Sequence, residues 1–243
     1  MTVNNGSRAS NEPLCTRLGV YVVTDERADL DGLLGVIDRA LKGGATAVQL
    51  RRKRADGREL VALGREIRRL TEAYHALYLV NDRVDIALLT DADGVHVGQS
   101  DLSCRDVRRL VGSKIVGVSA ATVQEARQAV LDGADYLGVG AVFPTSSKDD
   151  ADVCGLDGLR AVVTGLSNIV TGPTDRAAGL SDARPEAAPG RRVPVVAIGG
   201  ITLDNAPQVL AAGANGLAVV SAVMQADDPA AASQALRKIV HAP

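Results

Sequence analysis

The sequence has few aromatic side chains and no long apolar run. It contains no tryptophan and a single phenylalanine, Phe143, among 243 residues. Proteins that hold single-stranded nucleic acids stack the bases on aromatic rings. Lys and Arg number 27 against 29 Asp and Glu, so the chain also lacks the basic field that recruits nucleic acid. No run of about 18 apolar residues is present to cross a membrane. We therefore expect neither a nucleic-acid partner nor a membrane span.

The three cysteines are far apart and form no CxxC pair. Cys15, Cys104 and Cys154 fit unpaired thiols in a reducing compartment better than a disulfide framework or a zinc site. The chain begins MTVNNGSRASNEP, which lacks the apolar segment of a secretory signal. We expect a cytoplasmic protein whose polar tail, residues 1–14, is disordered.

Short β-type runs alternate with amphipathic helical runs along the rest of the chain. Strands are predicted at 19–24, 47–51, 76–80, 94–97, 115–119, 136–139, 193–198 and 216–220. Helices are predicted at 31–42, 57–73, 83–89, 103–111, 122–132, 155–165, 203–212 and 229–240. This alternation implies a parallel sheet, and eight units in a chain near the typical ~250 residues favour one (β/α)8 TIM barrel over residues 15–243. A doubly wound open sheet is the alternative, but the first predicted strand is not followed by a GxGxxG turn.

One segment interrupts the alternation. Residues 167–192 contain three prolines and three glycines with little periodicity, and a structureless loop of that length is unusual in a compact domain. The segment falls between the sixth predicted helix and the seventh strand, on the face opposite a barrel's active site. We interpret it as a mobile surface insertion, with a lid over the site as the alternative.

The end of the second strand carries polar side chains at alternate positions. Gln49, Arg51 and Lys53 project to one side of the strand, and Val48, Leu50 and Arg52 to the other. The apolar pair suits the helix-facing side, which sends the first three towards the barrel mouth. Two cations and an amide that converge there favour an anionic ligand. The alternative is a strand end with solvated charges.

Two aspartates follow adjacent strands. Asp82 comes after the third strand and Asp101 after the fourth. Mg²⁺ is commonly held by one or two carboxylates together with water and phosphate oxygens, so the pair predicts a magnesium–diphosphate site. The alternative is that each caps a helix. His96, within the fourth strand, is either a core histidine or a substrate contact.

The stretch 133–148 ends a buried strand in a loop rich in hydroxyls. Thr145, Ser146, Ser147 and Lys148 can donate hydrogen bonds and a positive charge to a phosphate, although a soluble loop has a similar composition. Loops after the seventh and eighth strands of a TIM barrel frequently bind phosphate, and here they carry Gly200, Val220 and Ser221. The pattern predicts two anion sites, one with metal and one without.

These strand-end motifs resemble the thiamine-phosphate synthase family. The resemblance rests on Tyr21–Asp25, Gln49–Lys53, Val80–Asp82, Gly94–Asp101, Gly117–Ser119, 133–148 and Ile198–Ile201, and it extends in order from about residue 18 to 240 without the insertion. It implies an enzyme that joins hydroxymethylpyrimidine diphosphate to a thiazole phosphate, or to its carboxylated form. Diphosphate would leave first, and Mg²⁺ is required.

The resemblance also implies residue roles. Asp82 and Asp101 would bind Mg²⁺, and the catalytic set would be Arg51, Lys53, Ser119 and Lys148. The pyrimidine diphosphate would contact Tyr21, Gln49, Leu50, Arg51, Arg52, Lys53, Asn81, His96, Ser119 and Lys148. The thiazole phosphate would contact Thr145, Ser146, Ser147, Gly200, Val220 and Ser221.

The chain departs from the family pattern at three positions. It has Arg52 where the family usually has Glu, Ala121 where it has His, and Ser147 where it favours Thr. A related thiazole tautomerase relies on a histidine near the fifth strand, and the sequence Ser119-Ala120-Ala121-Thr122 argues against that isomerase. A non-catalytic barrel that binds phosphate ligands is the other alternative. The sequence gives no signal of oligomeric state.

Overall fold

The fold is a closed barrel of eight parallel strands in a computed structural model that describes residues 12–145, 153–166 and 192–242. Each strand pairs with its neighbours in sequence, and β1 pairs with β8 to close the barrel. The TIM-barrel prediction is confirmed, and the open-sheet alternative is wrong. The strands are β1 (Val20–Val23), β2 (Ala47–Leu50), β3 (Leu77–Asn81), β4 (Gly94–Val97), β5 (Ile115–Ala120), β6 (Tyr136–Val139), β7 (Val195–Ile198) and β8 (Gly216–Val219).

Helices connect the strands and surround the barrel. They are α1 (Leu14–Arg17), α2 (Leu30–Lys42), α3 (Gly57–Ala73), α4 (Val84–Leu89), α5 (Cys104–Val111), α6 (Val123–Leu131), α7 (Gly155–Leu166), α8 (Ala206–Ala211), α9 (Ser221–Met224) and α10 (Pro229–Val240). The eight predicted helices are all present. The four-residue helices α1 and α9 were not predicted, because a single turn carries no periodic signal.

The described chain begins before the predicted domain boundary. Leu14 opens α1 and packs with Leu18 against the lower end of the barrel interior. Residues 1–11 of the predicted tail lie outside the described residues, as do residues 167–191 of the predicted insertion. No helix in the described part of the chain is long and apolar enough to cross a membrane.

Two hydrophobic cores result from the alternation of side chains along each strand. Outward-facing residues such as Val22 and Val48 pack against the helices in one large cluster. Inward-facing residues form a smaller cluster in the barrel interior: Leu18, Tyr21, Val23, Ala47, Leu77, Leu79, Tyr136, Val196 and Ala218. The interior is therefore a packed core, and only its upper end can open to a ligand.

The lower end of the barrel repeats one hydrogen-bonded arrangement four times. The residue before each even-numbered strand donates its backbone N–H to a carbonyl near the start of the preceding strand. The strand residue that supplies this carbonyl donates its own N–H to the side-chain oxygen of the residue before the even-numbered strand, at 2.7–3.0 Å. The four pairs are Thr46 with Val20, Asp93 with Tyr78, Asp135 with Val116, and Asn215 with Val195. They stabilise strand pairing at the face that does not carry the site.

Candidate active site

The loops after β1 and β2 are joined by hydrogen bonds at the upper end of the barrel. The Arg51 N–H donates to Thr24 Oγ1 at 2.8 Å, and Thr24 Oγ1 donates back to the Arg51 carbonyl at 3.0 Å. The Lys53 N–H donates to the Glu26 carboxylate at 2.7 Å. Thr24 is 1% exposed, so its hydroxyl has few alternative partners. These bonds fix the backbone from which Arg51 and Lys53 project.

The end of β2 divides its side chains between the mouth and the helices, as predicted. Gln49 lies inside the barrel, where its amide donates to the Tyr21 hydroxyl at 2.7 Å. Leu50 belongs to the outer core. The Arg52 guanidinium pairs with Glu59 of α3 at 2.9 Å and donates to the Arg27 carbonyl at 2.6 Å. Arg52 is therefore used in joining the loops on the outer side of the strand.

Asp82 and Asp101 lie close together at the ends of β3 and β4. Burial, followed by the hydrogen bond and charge of Asp101, raises the pKa of Asp82 from 3.8 to about 6. Lys53 and Arg51 act on Asp82 in the opposite direction, which places both cations near this carboxylate. The four charged side chains that follow β2, β3 and β4 thus lie close together.

Neither aspartate acts as a helix cap. Helix α4 begins after Arg83 without a side-chain cap, and α5 is capped by Ser103, which accepts from Asp106. Asp82 has a left-handed backbone (φ 61°), a conformation that Asp adopts more readily than most residues. Asp101 accepts the Gly98 N–H at 2.8 Å. The helix-cap interpretation is wrong for both.

A row of polar side chains crosses the barrel interior below these charges. The Tyr21 and Tyr136 hydroxyls are 2.9 Å apart, and Tyr136 is 2.9 Å from His96 Nδ1. His96 Nε2 is 3.0 Å from Ser119 Oγ. With Gln49 bonded to Tyr21, five side chains from five strands form one continuous row. Tyr21 and His96 thus make side-chain hydrogen bonds inside the protein.

The loop after β6 is held against the loop after β7. The Val142 and Phe143 N–H groups donate to the Ile198 and Gly199 carbonyls at 2.9 and 3.0 Å. Gly200 has a left-handed backbone (φ 61°), and a Cβ there would lie 2.6 Å from the Pro144 carbonyl oxygen. Only glycine fits this contact without displacement.

Thr145 ends this described segment, directly after the loop that packs on Gly200. Ser146, Ser147 and Lys148 lie outside the described residues. After β8, Val220 precedes α9 and is partly exposed, and Ser221, the first residue of α9, is exposed. Asn81, the last residue of β3, is also partly exposed and pairs in register with His96.

Two positioning contacts were missed from the sequence. The Asn205 amide donates to the Gly200 carbonyl at 2.9 Å, and its oxygen accepts the Thr202 N–H at 2.8 Å. Asn205 also precedes α8, which begins three residues later than predicted. Arg27 forms a salt bridge with Asp25 at 2.8 Å and donates to the Met224 carbonyl, so it joins the loops after β1 and β8.

A cleft of about 230 Å³ opens on the outer side of the β2 and β3 ends. Its wall includes Lys53, Asn81 and Asp82, together with Arg52 and Arg83. The cleft therefore reaches the charged cluster from outside the barrel.

The paired carboxylates suit a magnesium ion. No group of three or more His, Cys, Asp or Glu side chains that could hold a metal occurs in the described part of the chain, so a site built only from protein ligands is not present there. Mg²⁺ instead commonly uses one or two carboxylates, water and substrate phosphate oxygens. Burial, followed by the hydrogen bond and charge of Asp101, raises the pKa of Asp82, and a cation beside the two carboxylates would favour their ionised forms.

A family model described as thiamine monophosphate synthase matches residues 20–223. The chain belongs to the thiamine monophosphate synthase family. The thiamine-phosphate synthase of Moorella thermoacetica is 51% identical over 209 residues, which cover 85% of this chain and 88% of that protein. The thiamine-phosphate synthase of Pyrococcus furiosus is 43% identical over 227 residues, which cover 93% of this chain and 97% of that protein.

A solved structure supports the same membership. The thiamine phosphate pyrophosphorylase from Pyrococcus furiosus is similar with a TM-score of 0.76 at 40% identity, and the match covers 94% of this chain and 98% of that one. Membership of the family makes the chain a transferase. The resemblance drawn from the strand-end motifs is confirmed.

Proposed function

We propose that this family member condenses hydroxymethylpyrimidine diphosphate with a thiazole phosphate, or its carboxylated form, to give thiamine phosphate and diphosphate with the help of Mg²⁺. The observation that carries the proposal is the meeting of two carboxylates and two cations at adjacent strand ends. Asp101 raises the pKa of Asp82, and Lys53 and Arg51 lower it, so all three side chains lie near this carboxylate. A diphosphate with a divalent cation has the charges that complement both halves of this cluster.

Arg51 and Lys53 would bind the diphosphate. A guanidinium can contact two phosphate oxygens at once, and an ammonium supplies a compact charge. Lys148, outside the described residues, would add a third cation from the loop after β6. Asp82 and Asp101 would hold Mg²⁺, which would neutralise charge on the diphosphate. Fixed charges of this kind favour the departure of an anionic leaving group, and the loss of one such contact costs about 3–4 kcal/mol in the barrier.

The proposed reaction proceeds by loss of the leaving group before attack. The bond between the pyrimidine methylene carbon and the diphosphate oxygen breaks, and its electron pair leaves with the diphosphate. The resulting carbocation is stabilised by the pyrimidine ring, and the thiazole nitrogen then donates its lone pair to form the new C–N bond. No proton is transferred in these two steps. The protein needs to orient two substrates and stabilise charge, and Gln49, Asn81 and Ser119 are suited to orient the pyrimidine.

The thiazole phosphate would bind on the other side of the mouth. Loops after the seventh and eighth strands are a common phosphate site in this architecture. Here they carry Gly200, Val220 and Ser221. The loop after β6 approaches Gly200 through Pro144, and the residues that follow Pro144 along the chain, Thr145, Ser146 and Ser147, would complete the phosphate site. The close contact of Gly200 with the Pro144 carbonyl supports a site in which the two loops act together.

The test is synthase activity of the purified full chain. The protein would be incubated with both substrates in Mg²⁺ or in EDTA, and thiamine phosphate and diphosphate followed by mass spectrometry. We expect Mg²⁺-dependent product that is lost in Asp82→Ala and Arg51→Ala. Arg69→Ala is the matched control, because Arg69 is an exposed residue of α3 paired only with Glu66. Isomerised or merely bound thiazole phosphate without product would contradict the proposal.

We also propose that the enzyme works in the cytoplasm on small phosphorylated molecules. The three cysteines are all free thiols, which is typical of a reducing compartment. Cell fractionation with an antibody against the chain would test the compartment, and recovery in a secreted fraction would contradict it.

A further inference from the structure

The barrel interior contains polar side chains where the architecture usually places branched apolar ones. Tyr21 and Tyr136 are 2% and 0% exposed, and His96 lies between Tyr136 and Ser119. Room for them is made on neighbouring strands. A Cβ on Gly117 would lie 2.1 Å from the Tyr136 ring, and one on Gly138 would lie 2.8 Å from the His96 ring. The strands are thus shaped around this polar row.

With the Gln49 amide as donor to Tyr21, the hydrogen bonds of the row have one direction that satisfies every buried proton. The Gln49 amide donates to Tyr21, so the Tyr21 proton must go to Tyr136, its other polar neighbour in the row. The Tyr136 proton then goes to His96 Nδ1. His96 must carry its proton on Nε2, which donates to Ser119 Oγ. The Ser119 hydroxyl is left with its own proton to donate towards the mouth.

The opposite direction leaves a buried proton without an acceptor. If His96 Nδ1 donated to Tyr136, and Tyr136 to Tyr21, then Tyr21 would accept from both of its neighbours. Its own proton would have no partner in a site that excludes water, at a cost of about 1–3 kcal/mol. Burial also raises the pKa values of both tyrosines, so each keeps the proton that the chain requires.

We propose that Tyr21, Tyr136 and His96 are positioning residues. The two tyrosines hold His96 as the neutral Nε2–H tautomer, and His96 in turn fixes the Ser119 hydroxyl as a hydrogen-bond donor to the substrate. The ring nitrogens of a pyrimidine accept hydrogen bonds in the plane of the ring, so a serine held as a donor selects an edge that carries a ring nitrogen. Gln49, at the other end of the row, sets the direction. Tyr136 was not among the residues expected to bind substrate, and its role is indirect. The inference rests on the proposed function only in naming a pyrimidine as the group that Ser119 meets.

The tautomer of His96 is measurable by ¹⁵N NMR on protein labelled at histidine. The chain has only three histidines, and His75 and His241 are exposed, so His75→Gln and His241→Gln assign the spectrum. We expect His96 to show a protonated Nε2 and an unprotonated Nδ1 in the substrate-free enzyme. An Nδ1–H tautomer or an imidazolium would overturn the proposal without any enzyme assay.

Tyr136→Phe tests whether the tyrosine imposes the tautomer. It removes the donor to Nδ1 and keeps the ring that packs against Gly117, so we expect the two tautomers to exchange. Tyr78→Phe is the matched control, because Tyr78 is a fully buried tyrosine of β3 whose hydroxyl bonds to Thr90 outside the interior row. Unchanged His96 signals in Tyr136→Phe would contradict the inference.

Kinetics separate this role from general packing. The loss of one oriented neutral hydrogen bond is worth about 0.5–1.5 kcal/mol, so Tyr136→Phe is expected to raise KM for the pyrimidine diphosphate roughly 3- to 10-fold and to leave KM for the thiazole phosphate unchanged. In a Ser119→Ala background the same substitution should add nothing. Additive effects would overturn the positioning role. If Asp82→Ala keeps full activity, the proposed function fails, but the tautomer measurement still stands.

Discussion

Asp82→Asn is expected to stabilise the protein while it removes metal binding. The folded state raises the pKa of Asp82 from 3.8 to about 6, so folding favours the protonated form. The ionised carboxylate is then a destabilising group whose cost appears as the pH rises from about 3.8 to about 6 and is fully present at pH 7. Asparagine has almost the same shape, carries no charge and tolerates the left-handed backbone at this position. The substitution therefore removes both this cost and the proposed metal ligand, while it leaves the packing of the fold unchanged.

The size of the effect follows from the pKa shift. A rise of about two units corresponds, at about 1.4 kcal/mol per unit, to roughly 3 kcal/mol. Because Asp82 is only half-buried, solvent screens the interaction, and we reduce the expectation to about 1–1.5 kcal/mol. In a domain of this size 1 kcal/mol moves Tm by roughly 2–4 °C. We therefore expect Tm to rise by about 2–5 °C in EDTA at pH 7.5.

Calorimetry at two pH values, with and without Mg²⁺, distinguishes this reasoning from a general gain in packing. The advantage of Asp82→Asn should shrink towards zero at pH 4, where the wild-type carboxyl is protonated. Mg²⁺ with diphosphate should raise Tm of the wild type and leave the variant unchanged. Asp157→Asn is the control, since the Asp157 side chain is 98% exposed. An equal gain at both pH values, or a variant that still responds to Mg²⁺, would refute the account.

Three further substitutions test the framework around the site. Thr24→Val keeps the shape of the side chain but removes both hydrogen bonds to the Arg51 backbone. We therefore expect kcat/KM to fall roughly tenfold. Steady-state rates equal to those of the wild type would contradict a positioning role for Thr24. Gly200→Ala would put a Cβ on a left-handed backbone, 2.6 Å from the Pro144 carbonyl oxygen. Titration calorimetry should then show that thiazole phosphate binds at least about tenfold more weakly. Unchanged affinity would contradict the proposed phosphate site at Gly200. Asp135→Ala removes the carboxylate that pairs with the largely buried Arg108 guanidinium and accepts the Val116 N–H. It should cost about 3–5 kcal/mol in urea unfolding, with activity per folded molecule retained. A loss of activity without a loss of stability would contradict a purely structural role for Asp135.

The barrel and the charged half of the site could be predicted from the sequence. Strand ends in a parallel barrel meet at one mouth, so Arg51, Lys53, Asp82 and Asp101 could be brought together from their positions after three strands. Alternation along β2 also separated Gln49 from Leu50 correctly. These predictions need only periodicity and element order, which local sequence encodes.

The contacts across the barrel could not be predicted in the same way. Tyr136 begins β6 and looks like an ordinary apolar strand residue, and its bonds to Tyr21 and His96 depend on how the strands are staggered around the barrel. Asn205 resembled part of a helix, but its side chain serves the Gly200 turn. Such pairings are fixed by closure of the sheet, and single-strand patterns do not contain them.

The lower end of the barrel does carry a sequence signal that can be read in retrospect. Before each even-numbered strand the chain has a left-handed residue, then alanine, then a polar residue whose oxygen accepts a strand N–H. The four tripeptides are Gly44-Ala45-Thr46, Asp91-Ala92-Asp93, Gly133-Ala134-Asp135 and Gly213-Ala214-Asn215. The three glycines can be recognised from the sequence as helix ends. The role of the polar residue two positions later becomes apparent only when the neighbouring strand is in place. At the lower end of the barrel, opposite the candidate site, these hydrogen bonds therefore join each odd-numbered strand to the even-numbered strand that follows it.

Polar side chains in the interior add little net stability, which points to a functional reason for them. Hydrogen bonds between buried neutral groups contribute only about 0.5–1.5 kcal/mol each after the loss of water, and branched apolar residues would fill the same space without that requirement. The chain has only four tyrosines and no tryptophan, yet two of the tyrosines lie inside the barrel, and glycines on neighbouring strands leave room for the Tyr136 and His96 rings. The row ends at Gln49 and Ser119, two side chains that we propose orient the pyrimidine. A barrel that needed only packing would have no use for a row of bonds with a fixed direction, whereas one that must present a serine as a donor requires each member of the row.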